Sequence, residues 1–218
     1  MCFSMQADLV VGAASTAMGI SAWRDARDHG DRWLAALPVL FGTHLLVEAV
    51  VWRGVQGHLS SSTSEFAVRL YLLVALTVVP VVVPLVLRAV DRSDRSRRYA
   101  PFVVLGVVVG VVLGVPVVAG AVSAADGGLH VAYQVDVAWG GALTVAYVVA
   151  TCGPALVASD PRIRTFGVAN LVAVTILAVI SAEGLISLWC AWAAVTSAAI
   201  ATRAHRRARL SLGGVGAG

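Results

Sequence analysis

A histidine, a glutamate and a tryptophan recur at intervals of four within an otherwise apolar stretch of the sequence. His44, Glu48 and Trp52 lie in WLAALPVLFGTHLLVEAVVW, the twenty residues 33–52, and on a helix they would form one stripe. A run of that length is about what a helix needs to cross a hydrocarbon core. At such depth an imidazole and a carboxylate are costly unless they face protein or water. The stripe therefore predicts interior-facing side chains that either bind a ligand or proton or hold helices together.

Three further side chains are candidates to face this stripe. Asp136 and Glu183 fall at the predicted outer ends of two helices, where each could equally stabilise a helix N-terminus. Arg69 follows Glu65 by four residues, so it could pair with that glutamate on the helix surface or reach inward to Glu48. The predicted ligand-binding set is His44, Glu48, Trp52, Asp136, Glu183 and Arg69.

A metal centre is an alternative interpretation of the same region. A thiolate, imidazoles and a carboxylate together suit zinc or copper. The segment from Cys2 to Asp8 alternates apolar and polar residues, so it is expected to fold over the mouth of the bundle. The competing interpretation of the histidine at 130 is a solvated side chain in a polar loop. The predicted metal ligands are Cys2, His44, Glu48 and His130.

The overall composition indicates that these side chains belong to a membrane protein. Hydrophobic residues make up 59% of the chain and charged residues 13%, whereas soluble domains are about a quarter charged. The chain has no lysine, so it has no Schiff-base residue for retinal, and rhodopsins are excluded. The net charge of +4 is too diffuse to indicate nucleic-acid binding. The arginine clusters beside apolar runs instead favour contact with the bilayer and its anionic lipid heads.

Seven apolar runs predict an all-α, polytopic membrane domain over residues 1–204, followed by a basic and then glycine-rich disordered tail, 205–218. Pro80 and Pro84 predict a kink in the third span. Gly106, Gly110 and Gly114 predict a closely packed face on the fourth. The predicted spans are 8–23, 33–52, 66–88, 101–123, 136–158, 166–181 and 185–202.

The arginines predict the orientation of the domain. The segments after spans one, three, five and seven carry three, four, two and four arginines, whereas the alternate loops carry only Arg53. Positive charge accumulates on the cytoplasmic side. We therefore expect the N-terminus outside, the C-terminus in the cytoplasm, and residence in the bacterial inner membrane.

Two stretches of the chain suggest an internal repeat. QADLVVGAAST, residues 6–16, aligns with QVDVAWGGALT, residues 134–144, and the alignment makes Asp8 equivalent to Asp136. Three spans, a linker span and three further spans are one parallel arrangement known among transporters. The alternative is a chance match in a sequence dominated by glycine, alanine and valine.

Several short motifs resemble an uncharacterised family of bacterial seven-span membrane proteins that open with Met-Cys-Phe-Ser. They are Met1-Cys2-Phe3-Ser4, the pattern Phe41-Gly42-x-His44-x-x-x-Glu48-x-x-x-Trp52, and Leu188-Trp189-Cys190. The family has no assigned activity. The resemblance therefore implies a shared seven-span fold and no particular chemistry.

Three functions remain open at the level of sequence. The first is binding or transport of a small polar ligand, ion or proton at an outward-facing intramembrane site. The second is a zinc- or copper-dependent enzyme with Asp136 or Glu183 as its base. The third is a scaffold or assembly subunit whose buried polar residues only fix helix register. The sequence predicts neither the oligomeric state nor a protein partner.

Overall fold

The computed structural model describes residues 4–91, 96–128 and 130–180, together with residues 189, 192–194, 196 and 198. Most of the described residues are helical. Cys2, Glu183, most of the predicted seventh span and the tail 205–218 lie outside the described residues. What the sequence predicts for them stays a prediction.

Seven α-helices and one β-hairpin make up the described chain. Continuous helical stretches at His29–Val55, Ser61–Val90 and Arg97–Ala119 are long and apolar enough to cross a membrane, and Gly140–Leu156 is a shorter apolar helix. The described residues therefore contain three membrane-length apolar helices, and the count of seven spans stays a prediction. The elements are α1 Met5–Asp25, α2 His29–Val55, α3 Ser61–Leu73, a π-helical segment Val74–Val78, α4 Val79–Val90, a 3₁₀ turn Ser96–Tyr99, α5 Ala100–Ala119, β1 Val122–Asp126, β2 Val131–Val135, α6 Gly140–Leu156 and α7 Pro161–Ile180.

The first three helices begin earlier than the apolar runs predict because polar residues cap them. The side chain of Ser4 accepts a hydrogen bond from the amide of Ala7, and Asp28 caps α2 in the same way. Ser60 caps α3, so the serine-rich run predicted as a loop forms the first turn of that helix. Capping side chains satisfy amides that a helix start leaves without intrahelical partners.

Small residues bring α1 and α2 into close contact. A Cβ atom placed on Gly12 would lie 2.8 Å from the carbonyl oxygen of Gly42, and one on Gly19 would lie 2.8 Å from the amide nitrogen of Val39. The two helices are therefore antiparallel, with residue 12 at the level of residue 42. This register determines which residues of α2 lie level with the N-terminal turn of α1.

The glycine face predicted on the fourth span packs against the π-helical segment and the start of α4. A Cβ on Gly106 would collide with the carbonyl of Pro80, and one on Gly110 would lie 3.0 Å from the carbonyl oxygen of Thr77. The prediction of close packing along this face is confirmed. The backbones can approach here because neither glycine carries a side chain.

The prolines of the third span coincide with a local widening of the helix. The amide of Val79 donates to the carbonyl of Val74, five residues earlier. The carbonyl of Ala75 therefore loses its usual partner at Val79, and the residue five positions after it is Pro80, which has no N–H. The hydroxyl of Tyr147 donates to that carbonyl at 2.6 Å and thereby ties α6 to the widened turn.

An antiparallel hairpin replaces the loop that the sequence predicted between spans four and five. Helix α5 ends at Ala119, and β1 pairs with β2 from Val122 opposite Val135 to Asp126 opposite Val131. The all-α prediction is wrong here, and the fourth span is shorter than predicted. The turn at Gly128, where φ is +82°, favours the hairpin because glycine adopts a positive φ without strain.

The predicted internal repeat is not supported by the local structure. Residues 6–16 lie within α1, whereas residues 134–144 pass from β2 through a turn into α6. Asp8 is buried and Asp136 is exposed. Their predicted equivalence is therefore wrong, because one lies inside a helix contact and the other follows an exposed strand end.

Candidate functional site

Two titratable side chains of α2 lie in the interior of the protein. His44 is 2% exposed and Glu48 is fully buried. Both belong to the helix face that packs inward, with Leu45 and Trp52 as buried neighbours. The prediction that this stripe faces the bundle and not lipid is confirmed.

Three aromatic rings from three different elements stack in one column above α2. The ring centroid of His44 lies 4.0 Å from that of Tyr71 on α3, with planes 10° apart. Tyr71 in turn lies 4.7 Å from Tyr133 on β2, with planes 12° apart. The stacking fixes the orientation of the imidazole and packs the hairpin against α3 through Tyr133.

Tyr133, the last ring of the column, contacts Glu48 of α2. The hydroxyl of Tyr133 donates a hydrogen bond to Oε1 of Glu48 over 3.3 Å. His44, Glu48, Tyr71 and Tyr133 therefore form one connected group, which we call the buried polar cluster. It lies between α2, α3 and the hairpin.

His44 has no hydrogen bond within the part of the chain that the structure describes. Both its Nδ1 and its Nε2 are buried, and neither atom has a partner there. Buried polar atoms are normally paired, and an unpaired one destabilises the fold. The stack on Tyr71 holds the ring in place, so the two nitrogens remain available to a ligand or a proton.

A second carboxylate lies at the level of the cluster. Asp8 is 1% exposed and shares the inward face of α1 with Gly12 and Gly19. Since residue 12 of α1 meets residues 42 and 46 of α2, Asp8 falls level with residues 46–50, which include Glu48. Asp8 and Glu48 are thus buried at the same level of the bundle, Asp8 on the face of α1 toward α2 and Glu48 on the face of α2 toward α3 and the hairpin.

Arg69 is engaged away from the cluster. Its Nε and Nη2 donate to Oε1 of Glu65 at 3.0 and 2.7 Å. The guanidinium also donates to the carbonyls of Val117, Val118 and Gly120, at the C-terminal end of α5. Of the two partners that the sequence offered, Glu65 is confirmed. The arginine satisfies carbonyls that the end of α5 leaves open.

The remaining predicted site residues do not join His44 and Glu48. Asp136 is exposed directly after β2. His130 lies at the hairpin turn, where a Cβ on Gly127 would be 2.7 Å from its Nε2. Within the described residues, no group of three or more His, Cys, Asp or Glu side chains is arranged to hold a metal ion. The structure thus does not assemble His44, Glu48 and His130 as a metal site.

Tyr71 is the member of the cluster that the sequence reasoning missed. It lies in the apolar stretch of α3, where a tyrosine was read as one more apolar residue of the span. Its hydroxyl was the available signal, because a tyrosine inside an apolar span needs a polar neighbour. Tyr133, which donates to Glu48, is likewise not among the predicted site residues.

The fold and the cluster define a helical protein with membrane-length apolar helices and a buried polar cluster closed by a β-hairpin. Over residues 1–213 the chain matches the Family of unknown function (DUF6629), and it belongs to that family. The resemblance to an uncharacterised family is thereby confirmed. No curated protein and no solved structure shows significant similarity to the chain.

Proposed function

We propose that the protein is a multi-pass protein of the bacterial inner membrane that takes up a proton or a small cation from the outer side. The proposed binding site is the buried polar cluster together with Asp8. One observation carries the proposal: Glu48 and Asp8 are 0% and 1% exposed, and both are buried at the same level of the bundle.

The electrostatics of that layer favour a positively charged ligand. Transfer of an ionised carboxylate from water into a low-dielectric interior is costly unless its charge is neutralised or paired. Arg69, the cation that the sequence offered to Glu48, binds Glu65 and the end of α5. A proton or a cation that binds these carboxylates offsets part of the cost of burying their charge.

His44 gives the site a second group that can exchange a proton. It lies one helical turn from Glu48, on the same face of α2. Its ring is held by Tyr71, and both nitrogens lack a partner among the described residues. An imidazole in this position can accept a proton or donate one to a bound ligand.

The hairpin is the proposed cover of the site. Val131 is fully buried and Tyr133 is 6% exposed, so β2 packs onto the helices and closes the cluster from one end. Exchange with the outside requires that Tyr133 leave both its stack on Tyr71 and its bond to Glu48. The arginine pattern, which predicts residues near 128 outside, supports the outer side as the route of entry.

A ligand that binds only the folded protein raises its stability with concentration, which gives a direct test. The unfolding temperature of the purified protein in detergent is measured against pH and against sodium, potassium and calcium. At a cation concentration of 100 times Kd, the expected stabilisation is about 2.7 kcal/mol. A pH dependence without any cation dependence identifies the ligand as a proton.

Glu48→Gln should abolish this dependence, whereas Glu65→Gln should retain it. Glu65 is the matched control because its carboxylate is paired on the surface of the protein. Identical pH and cation profiles for all three proteins would contradict the proposal. The cluster would then have only the structural role of fixing the contacts between helices.

A further inference from the structure

A cavity of about 320 Å³ lies beside the buried polar cluster, between α2, α4, α6 and α7. This volume is within the range of small-molecule sites. Tyr133 lines it, but His44 and Glu48 are not part of the wall that the structure describes. The cavity is therefore a separate space that shares one aromatic ring with the cluster.

The hydroxyl and amide side chains along this wall already have hydrogen-bond partners in the protein. Thr144, Thr151 and Thr196 donate to carbonyls of their own helices. Tyr147 donates to the carbonyl of Ala75, and Asn170 accepts from the indole of Trp192. The rest of the wall is mainly leucine, valine, alanine and phenylalanine.

These hydrogen bonds restrict the chemistry of an occupant. A buried water needs two to four polar partners, and apolar cavities stay dry and bind apolar molecules. A polar ligand would have to give up its own hydration without gaining hydrogen bonds. The wall therefore selects a hydrocarbon.

The cavity is also long. Its lining on α6 follows one helix face from Gly140 to Ala155, a rise of about 22 Å at 1.5 Å per residue. One leaflet of a hydrocarbon core is half of about 30 Å. The cavity can thus accommodate a single chain that extends through a leaflet.

We propose that this cavity holds one hydrocarbon chain of a membrane lipid. The chain packs along α6 and against the ring of Tyr133, the same residue whose hydroxyl binds Glu48. An occupying chain therefore adds a packing contact to the hairpin through the ring of Tyr133. This proposal does not depend on cation uptake, since neither Glu48 nor Asp8 lines the cavity.

The test uses cis-parinaric acid, a fluorescent fatty acid, as the probe for the full-length protein in detergent. Val148→Trp fills the cavity, whereas Val145→Trp is the matched control on the same helix, at a position that is 65% exposed. The expected result is a Kd for the probe that is raised about tenfold or more by Val148→Trp, because the new indole and the hydrocarbon chain of the probe would occupy the same volume. Val145→Trp should leave Kd unchanged, and palmitic acid should displace the probe.

Two results would overturn the proposal: wild-type affinity in Val148→Trp, or an equal loss of affinity in both variants.

Should Val148→Trp fail to fold, a fatty acid with a photoreactive group in its chain is crosslinked to the wild-type protein and the sites are mapped. Crosslinks on the inward residues of α6, such as Leu143 and Val148, support the proposal. Crosslinks confined to the exposed face of α5, at Val104 and Val111, contradict it. Mass spectrometry of lipids extracted from the purified protein distinguishes a phospholipid from a free fatty acid.

Discussion

His44 is the residue at which stability and the proposed chemistry make opposite demands. Its ring contributes to the core through the stack on Tyr71, but its two nitrogens lack partners in the described part of the chain. Such atoms cost stability that an apolar side chain of the same shape would not. The imidazole at this position is a group that can bind a proton or a ligand, which a phenyl ring cannot do.

The first prediction concerns this conflict. His44→Phe keeps a flat ring against Tyr71 and removes both nitrogens, so it should stabilise the protein by about 1–3 kcal/mol. The same substitution should reduce the pH and cation dependence of the unfolding temperature. His44→Ala is the control, because it also removes the stack and should destabilise. A His44→Phe protein that is less stable than His44→Ala would contradict this account of the ring.

At the residue scale, the sequence predicted the inner face of α2 but not what lies opposite it. The spacing of His44, Glu48 and Trp52 and the cost of a carboxylate in hydrocarbon were sufficient to predict their burial. Tyr71 could not be assigned to the same layer, because this depends on the register between helices. That register is set by contacts such as Gly12 against Gly42, which no local pattern reveals.

At the scale of elements, the π-helical segment depends on a partner from a distant helix. The carbonyl of Ala75 cannot bond to residue 80, because Pro80 lacks an N–H, and Tyr147 of α6 supplies the missing donor. The prolines predicted a disturbance of this helix. The compensating tyrosine was not predictable, because it lies 72 residues away in the chain.

A double-mutant cycle tests this dependence. Tyr147→Phe leaves the buried carbonyl without a partner and should cost about 1–3 kcal/mol of unfolding free energy. Pro80→Ala restores an N–H at residue 80, so Tyr147→Phe should cost less in that background. Equilibrium unfolding of the detergent-solubilised protein measures the four free energies. Strictly additive costs would show that the hydroxyl and the proline act independently.

Hydropathy alone did not predict the hairpin. Residues 121–125 continue the apolar run of α5, so the helix end at Ala119 leaves no clear change in composition. Strand β2 has only five residues and no clear alternation of apolar and polar side chains, so a loop between two predicted spans was favoured. The element that covers the proposed site is therefore the one that the sequence predicted wrongly.

At the scale of the whole molecule, the orientation in the membrane follows from the arginines. Reporter fusions near residues 58 and 128 should be outside the cell, and fusions near residues 28, 95 and 210 should be in the cytoplasm. In this predicted orientation, the hairpin and the cluster face outward and the arginine clusters face the anionic lipid heads of the cytoplasmic leaflet. A cytoplasmic signal at residue 128 would reverse the direction of entry proposed for the cation.

Infrared difference spectroscopy of the protein in lipid bilayers tests the central claim most directly. Spectra are recorded between acidic and alkaline pH, and again with and without added cation at fixed pH. We expect a carboxyl band that changes with protonation or cation binding, is lost in Glu48→Gln and persists in Glu65→Gln. Wild-type and Glu48→Gln spectra that respond identically to pH and to cation would contradict the claim that the buried polar cluster takes up positive charge.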